Sequence, residues 1–430
     1  MTGTGTVTDP YIISTVDDLQ AIENDLTAYY ELGGDIDASA TVTWNGGEGF
    51  VPLAPGGTFT GQLDGKDYTV TSLFITAAGG NNALFYSNTG TIKNLTLAST
   101  TFTGGRLGGI AYINALGGVI TDCHISGTAD CTTGAAGFCY SNYGSISKCS
   151  SNVAVTGDGG TDDGGGFVYY NYSTGTIDQC SSIGAVSAVD DSGGFAYFND
   201  GSITNSYEMG SVTGNGLAGS YAAGFIFYNN TTGVVDDCYS AGAVSGAVGG
   251  NKGFSNFNTG TMTNCFWDTE TSGQTTDGGA ATGKTTAQMK TRATFTDAGW
   301  NFTTIWNIDG VTNNGYPYLT GGARVFPINP LLRVSGIVRT FWSGLGGKGV
   351  YQTVLTLGGI STTYVSPISD REPPSAVTPT PLPSGPGYQE ADYKRWLTSF
   401  YMEQMLTGSF SMVAPMSYPQ WVRWKAGGSK

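Results

Sequence analysis

The sequence predicts an all-β solenoid, a parallel β-helix of about seven or more coils, on three periodic observations. Asn88, Asn114, Asn142, Asn171, Asn199, Asn229 and Asn258 recur every 26 to 30 residues, each five residues after an Ala or Gly. A glycine follows at +2 or +4, and two residues later an aliphatic side chain: Ile92, Ile120, Ile146, Ile177, Ile203, Val235 or Met262. Five residues after each glycine stands Leu95, Cys123, Cys149, Cys180, Ser206, Cys238 or Cys265. A unit of this size buries its apolar face only by stacking on its neighbours, which places like residues at one height.

Residues 1–80 read as a cap and first coil. Ser14 and Asp17 resemble a capping box, and Val16, Leu19, Ile22 and Leu26 follow helical spacing, so a short amphipathic helix is expected to cover the open end. Residues 29–36 and 59–75 alternate like strands and begin the winding. Within a repeat of 81–268, for instance 166–193, three strands are expected over 167–171, 176–181 and 184–188, each paired one coil away at roughly 4.8 Å. Stacked asparagine amides can donate and accept along the axis, and Asn tolerates the left-handed backbone of a sharp bend.

Composition fits short strands joined by tight turns: 68 glycines, and only 12% charged residues. Residues 1–320 hold 8 basic against 28 acidic side chains, net −20, whereas 321–430 hold 10 against 5, net +5. An acidic shaft repels phosphate backbones, so nucleic acid is not an expected partner. The seven cysteines form no C-x-x-C or Cys/His metal spacing and are expected as free thiols, with Cys131 and Cys139 off the ladder and able to pair. No stretch approaches 18 apolar residues, so membrane insertion is not expected. Residues 1–10 lack the basic start and apolar run of a secretory signal, so a protein reaching the outside is expected to leave by assembly and lysis or by a signal-independent route.

The opening DPYIISTVDDLQAIENDL with YYELGGDIDAS, the coil GGFVYYNYSTGTIDQC and the closing CFWDTETSGQ, GKTTAQM, AGWNF and YPYL resemble the GLUG-motif repeat family over about residues 3–319. The resemblance implies a right-handed β-helix, an end cap over 269–323, and a surface or adhesive role without shared catalytic residues. The chain departs from the family at the third position after the key glycine, where Tyr112, Tyr140, Tyr169, Tyr197 and Phe227 replace a second glycine. Residues 324–370 read as a β-hairpin, LLRVSGIVRTFW against VYQTVLTLGG. Their core, 331–359, is similar to the closing strands of phage tail hub and baseplate proteins. A Pro-rich linker, 371–388, leads to a docking tail, 389–430, with a helix over 391–406 bearing Trp396 and Phe400 and an aromatic, basic end at Trp421 and Trp424.

Strand alternation puts Phe138/Tyr140, Phe167/Tyr169, Phe195/Tyr197 and Phe225/Phe227 inward with the asparagines. It puts Val168/Tyr170, Ala196/Phe198, Ile226/Tyr228 and Ser255/Phe257 outward. An outer column of Tyr170, Phe198, Tyr228 and Phe257 needs a cover: the C-terminal region, a sister shaft in a homo-oligomer such as a homotrimer, or a glycan. Asp162 and Asp163, with Asp190 and Asp191 at the same places one coil later, are solvated turn acids, a calcium site or a glycosidase-like pair. His124 beside Cys123 faces the other way and is expected at the surface.

The function expected from these readings is a non-enzymatic shaft of a virion, such as a phage tail or fibre. It would be attached to other virion proteins through its C-terminal region and would touch a host surface glycan or protein. The alternatives are a bacterial or archaeal cell-surface adhesin and a tailspike-like polysaccharide depolymerase.

Overall fold

A computed structural model describes residues 1–76, 80–157 and 162–320, and the backbone of Arg339–Phe341, Val350–Leu357 and Ile360–Pro367. The chain divides into two compact units, Met1–Pro327 and Ile328–Lys430.

The first unit is the predicted parallel β-solenoid. One wall is a ten-stranded parallel sheet running from Tyr11–Ile13 to Thr261–Thr263, in which Ile92, Ile120, Ile146, Ile177, Ile203, Val235 and Met262 lie in register and point inward. A second wall is a seven-stranded parallel sheet from Phe85–Asn88 to Ser255–Asn258. The third is long where the coils are regular, as in Thr96–Gly108. Lower down it breaks into short pieces, and that one strand pairs with Thr69–Thr71, Phe74–Ile75 and Asn81–Asn82. The cap helix is Val16–Gln20, closed by a capping box from Thr15 and Asp18, one residue beyond the predicted pair, because Thr15 and not Ser14 has the extended backbone of an N-cap.

The seven asparagines form one unbroken ladder. The Nδ2 of Asn88 donates to Asn114 Oδ1 at 2.9 Å, and the relay continues through Asn142, Asn171, Asn199 and Asn229 to Asn258 at 2.8 to 2.9 Å. Their backbone is not left-handed, contrary to expectation. Positive φ belongs to a different file, Asn94, Asp122, Lys148, Gln179, Asn205, Asp237 and Asn264, all between 45° and 56°, directly before the cysteine ladder. The sharp corner is there, and the asparagines serve as hydrogen-bonding spacers inside the coil.

All seven cysteines are buried and outside any disulfide, so Cys131 and Cys139 are not bonded to each other. On the ladder each thiol donates to a carbonyl two residues back, as Cys149 does to Ser147 at 3.0 Å. The Ser206 hydroxyl does the same to Thr204 at 2.7 Å and accepts from the Cys180 N–H at 3.1 Å. Because serine already fills this geometry, Cys180→Ser is expected to cost less than about 1 kcal/mol in chemical denaturation.

The closing segment clasps the side of the solenoid. Met289, Phe295, Trp300, Trp306, Tyr316 and Leu319 pack over an outer file of Tyr207, Tyr239 and Phe266. Tyr239 donates to the Pro317 carbonyl at 2.7 Å, and Trp300 Nε1 donates to the Asn264 carbonyl at 3.0 Å. The cover over these outer aromatics is thus supplied by the end cap, and it lies on a different file from Tyr170, Phe198, Tyr228 and Phe257. In the second unit, Arg339–Phe341 pairs antiparallel with Val350–Leu357 as the hairpin requires, and Ile360–Pro367 adds a third antiparallel strand. The linker and Trp396, Phe400, Trp421 and Trp424 lie outside the described residues.

Candidate functional site

The outer face of the seven-stranded sheet carries the aromatic residues, and a bend in the backbone decides which ones. After each key glycine, two successive N–H groups donate to a single carbonyl of the next coil: Phe138 and Cys139 to Phe167, Phe167 and Val168 to Phe195, Phe195 and Ala196 to Phe225, and Phe225 and Ile226 to Phe254. Sharing one acceptor breaks the two-residue alternation, so both side chains at the bend enter the core. Phe167 and Val168, Phe195 and Ala196, and Phe225 and Ile226 are accordingly all buried in the same interior cluster.

This corrects half of the predicted assignment. Tyr140 and Tyr169 are not in the coil interior; they join Tyr112 in a separate outer cluster with Ala83 and Ala136. Their rings form a continuous stack, Tyr86, Tyr112, Tyr140, Tyr169, Tyr197 and Phe227, with centroids 4.4 to 5.2 Å apart. The stack fills the angle beside the glycine-bearing strands, where a Cβ on Gly134 would lie 2.8 Å from the Tyr169 ring. Tyr112, Tyr140 and Tyr169 are consequently only 8%, 7% and 5% exposed.

The predicted outer column stands in front of that stack. Tyr170, Phe198, Tyr228 and Phe257 occupy one register position, with ring centroids 5.5, 5.3 and 6.1 Å apart. The first three are half-buried and Phe257 is 37% exposed. The Tyr170 ring stands at 87° to Tyr169, and Phe257 at 89° to Phe227, so each meets the inner stack edge to face. Tyr143 and Tyr172, stacked at 4.1 Å, extend the surface at the coil edge.

Acidic groups border the aromatic face, and they bond to the solenoid itself. Asp163 accepts from the Tyr169 hydroxyl at 3.1 Å and from the Asp191 N–H at 3.3 Å; Asp191 accepts from the Tyr221 N–H at 3.0 Å. The Asp190 N–H donates to the carbonyl of Asp162, whose side chain is buried. Burial raises the Asp163 pKa against the pull of the Tyr197 and Tyr169 hydroxyls. Burial, then the charge of Asp163, pushes Asp191 up to about 6. The stability that protonated Asp191 contributes is complete below the ordinary carboxylate range and is lost as pH rises through about 6. Among the described residues no group of three or more His, Cys, Asp or Glu side chains is arranged to hold a metal ion.

His124 is buried, contrary to expectation: its Nδ1 lies 2.8 Å from Ser150 Oγ, the register neighbour one coil on. Sequence reasoning missed Glu208 altogether, a fully buried carboxyl on the third wall. The available signal was its place in the file Ser151, Ser182, Glu208, Ser240.

Comparisons with known proteins agree with this architecture. No family model matches the chain. Over 337 residues it is 32% identical to halomucin of Haloquadratum walsbyi, a match covering 74% of this chain and 3% of halomucin. Over 123 residues it is 41% identical to a protein of Evansella cellulosilytica provisionally named a Gly-rich membrane protein, covering 27% of this chain and 14% of that one. The chain thus spans a small fraction of either curated relative. Among solved structures, a Bacteroides ovatus protein provisionally named an immunoglobulin A1 protease superposes with a TM-score of 0.52 at 19% identity, covering 74% of this chain and 94% of that one. That likeness is one of fold. Among the described residues no helix is long and apolar enough to cross a membrane.

Proposed function

We propose that this chain is a cell-surface β-helical shaft that adheres through its outer aromatic column and carries no catalytic step of its own. The observation that carries the reading is the register file Tyr170, Phe198, Tyr228 and Phe257, half-exposed and backed by a second, buried ring stack. A rigid row of rings gives a binding face large apolar area at little conformational cost. The names of the relatives, a mucin and a membrane protein, favour the cell surface over the virion. Membership of the GLUG-motif repeats belongs to the same proposal and rests on the motifs quoted above. Asp163 and Asp191, the acids best placed for hydrolysis, are engaged by a tyrosine hydroxyl and by backbone N–H groups, which supports the non-enzymatic reading.

The test uses the full chain, fluorescently labelled, on an array of neutral and acidic oligosaccharides and on isolated cell envelopes of the source organism. Wild type is expected to bind at least one of the two, and Phe198→Ala/Tyr228→Ala/Phe257→Ala to bind at least about tenfold more weakly with its circular dichroism unchanged. Equal binding by the variant, or no binding by wild type to either probe, contradicts the proposal.

A further inference from the structure

Glu208 lies inside the solenoid with 0% exposure. Its Oε2 accepts from Ser240 Oγ at 3.0 Å, while Oε1 has no hydrogen-bond partner among the described residues. The contrast with Asp268, equally buried, is instructive. Asp268 Oδ1 accepts from the N–H groups of Glu270 and Thr271 and from the Thr286 hydroxyl, and Oδ2 accepts from the Tyr316 hydroxyl, so both oxygens are engaged by donors. Glu208 has no such set.

The space for Glu208 is built into the coil. A Cβ on Gly194 would come within 2.7 Å of its Cγ, and one on Gly242 within 2.7 Å of its Oε1. Its register neighbours are Ser182 and Ser240, and Ser182 Oγ also has no hydrogen-bond partner among the described residues. The backbones of Gly210 and Gly242 offset part of the cost of charge, and the phenol of Tyr239 is the titratable group that senses it. The ion pairs among the described residues all lie elsewhere.

We propose that Glu208 is a proton lock: the shaft folds with this carboxyl in its neutral acid form, and ionising it opens the coils around Ser181–Ser240 rather than the ends. A neutral carboxyl has an O–H to donate, and Ser240 Oγ, 3.0 Å from Oε2, can accept it. A carboxylate would have one hydroxyl donor, the partial help of the Gly210 and Gly242 backbones and no counter-ion, and burying charge so poorly paired is far costlier than burying the acid. Burial drives its pKa well above the ordinary value. Folded protein then holds a proton that the unfolded chain releases, so stability falls as pH rises between the two pKa values. In a solenoid each coil leans mainly on its neighbours, here joined by the closing segment over Tyr207 and Tyr239, so the loss is confined to these coils and that clasp.

Hydrogen exchange on the full chain, corrected for intrinsic rates, tests this between about pH 7 and about pH 8. In that window the raised acids Asp191 and Asp237, both near 6, have already ionised, and unfolded-state thiols have not. The opening constant of peptides covering Ser181–Ser240 is expected to rise about tenfold, the increment of one linked proton, and Glu208→Gln is expected to abolish the rise. A flat wild-type profile, or the same slope in the variant, overturns the proposal. Should the variant fail to fold, the infrared carbonyl band of a protonated carboxyl in wild type at about pH 7.5 decides: its presence supports the lock and its absence refutes it.

Discussion

Replacing Asn171 by Ala is expected to destabilise the solenoid by about 2–4 kcal/mol, because two buried amide groups lose their ladder partners at about 1–3 kcal/mol each, Asn142 Nδ2 keeping only a long bond to the Thr176 carbonyl at 3.5 Å. Asn142 Nδ2 loses its acceptor at 2.8 Å, and Asn199 Oδ1 loses its donor at 2.8 Å. Neither group can turn to water, since the ladder members between the end coils are fully buried. Asn171→Asp should be no milder: it still accepts from Asn142 but sets a carboxylate oxygen against Asn199 Oδ1. Asn258→Ala, at the half-buried end where one ladder bond is lost, should cost about 1 kcal/mol. Chemical denaturation followed by circular dichroism checks the ranking. Breaking a central coil should also broaden the transition, because the halves on either side then melt separately.

Phe195→Ala is expected to cost about 3–5 kcal/mol, the usual range for an aromatic deleted from a packed core. Phe195 is the middle ring of an interior stack, Phe138, Phe167, Phe195, Phe225 and Phe254, with centroids 4.5 to 4.9 Å apart and planes within 10°. Strand pairing holds Phe167 and Phe225 in place, so neither can close the gap. Phe198→Ala, three residues along on the other side of the wall, should cost less than about 1 kcal/mol. The same denaturation series measures both, and equal costs would mean that the wall has been assigned the wrong way round.

The winding was legible because a solenoid repeats its packing problem: Asn88 to Asn258 and Cys123 to Cys265 sit at fixed intervals, and each faces its own kind. What escaped was set by backbone geometry or by contacts outside the repeat. The left-handed corner is filled by Asn, Asp, Lys and Gln in turn, so no single residue type marks it, and the more regular asparagines drew the assignment. The shared carbonyl after Gly166 and its counterparts shifts alternation by one residue, so Val168 turned inward and Tyr169 outward. The outer column Tyr170 to Phe257 stays outside because a second break follows: Tyr169 and Tyr170 both face out, which restores the original phase and returns Asn171 to the interior. Trp300 and Trp306 reach back to Tyr207 and Tyr239 across some sixty to a hundred residues of sequence, a distance over which periodicity says nothing. Glu208 differs from its serine neighbours only in the one coil that carries it.

Hydroxyl-radical footprinting of the full chain, read by mass spectrometry residue by residue, tests most directly whether the outer column is open to a partner. Phe257 is expected to label most strongly, with Tyr170, Phe198 and Tyr228 labelled well above Tyr112, Tyr140, Tyr169, Tyr207 and Tyr239. Protection of Phe257, Tyr228 and Phe198 to the level of Tyr169 would mean that the column is already covered, and would contradict a binding face there.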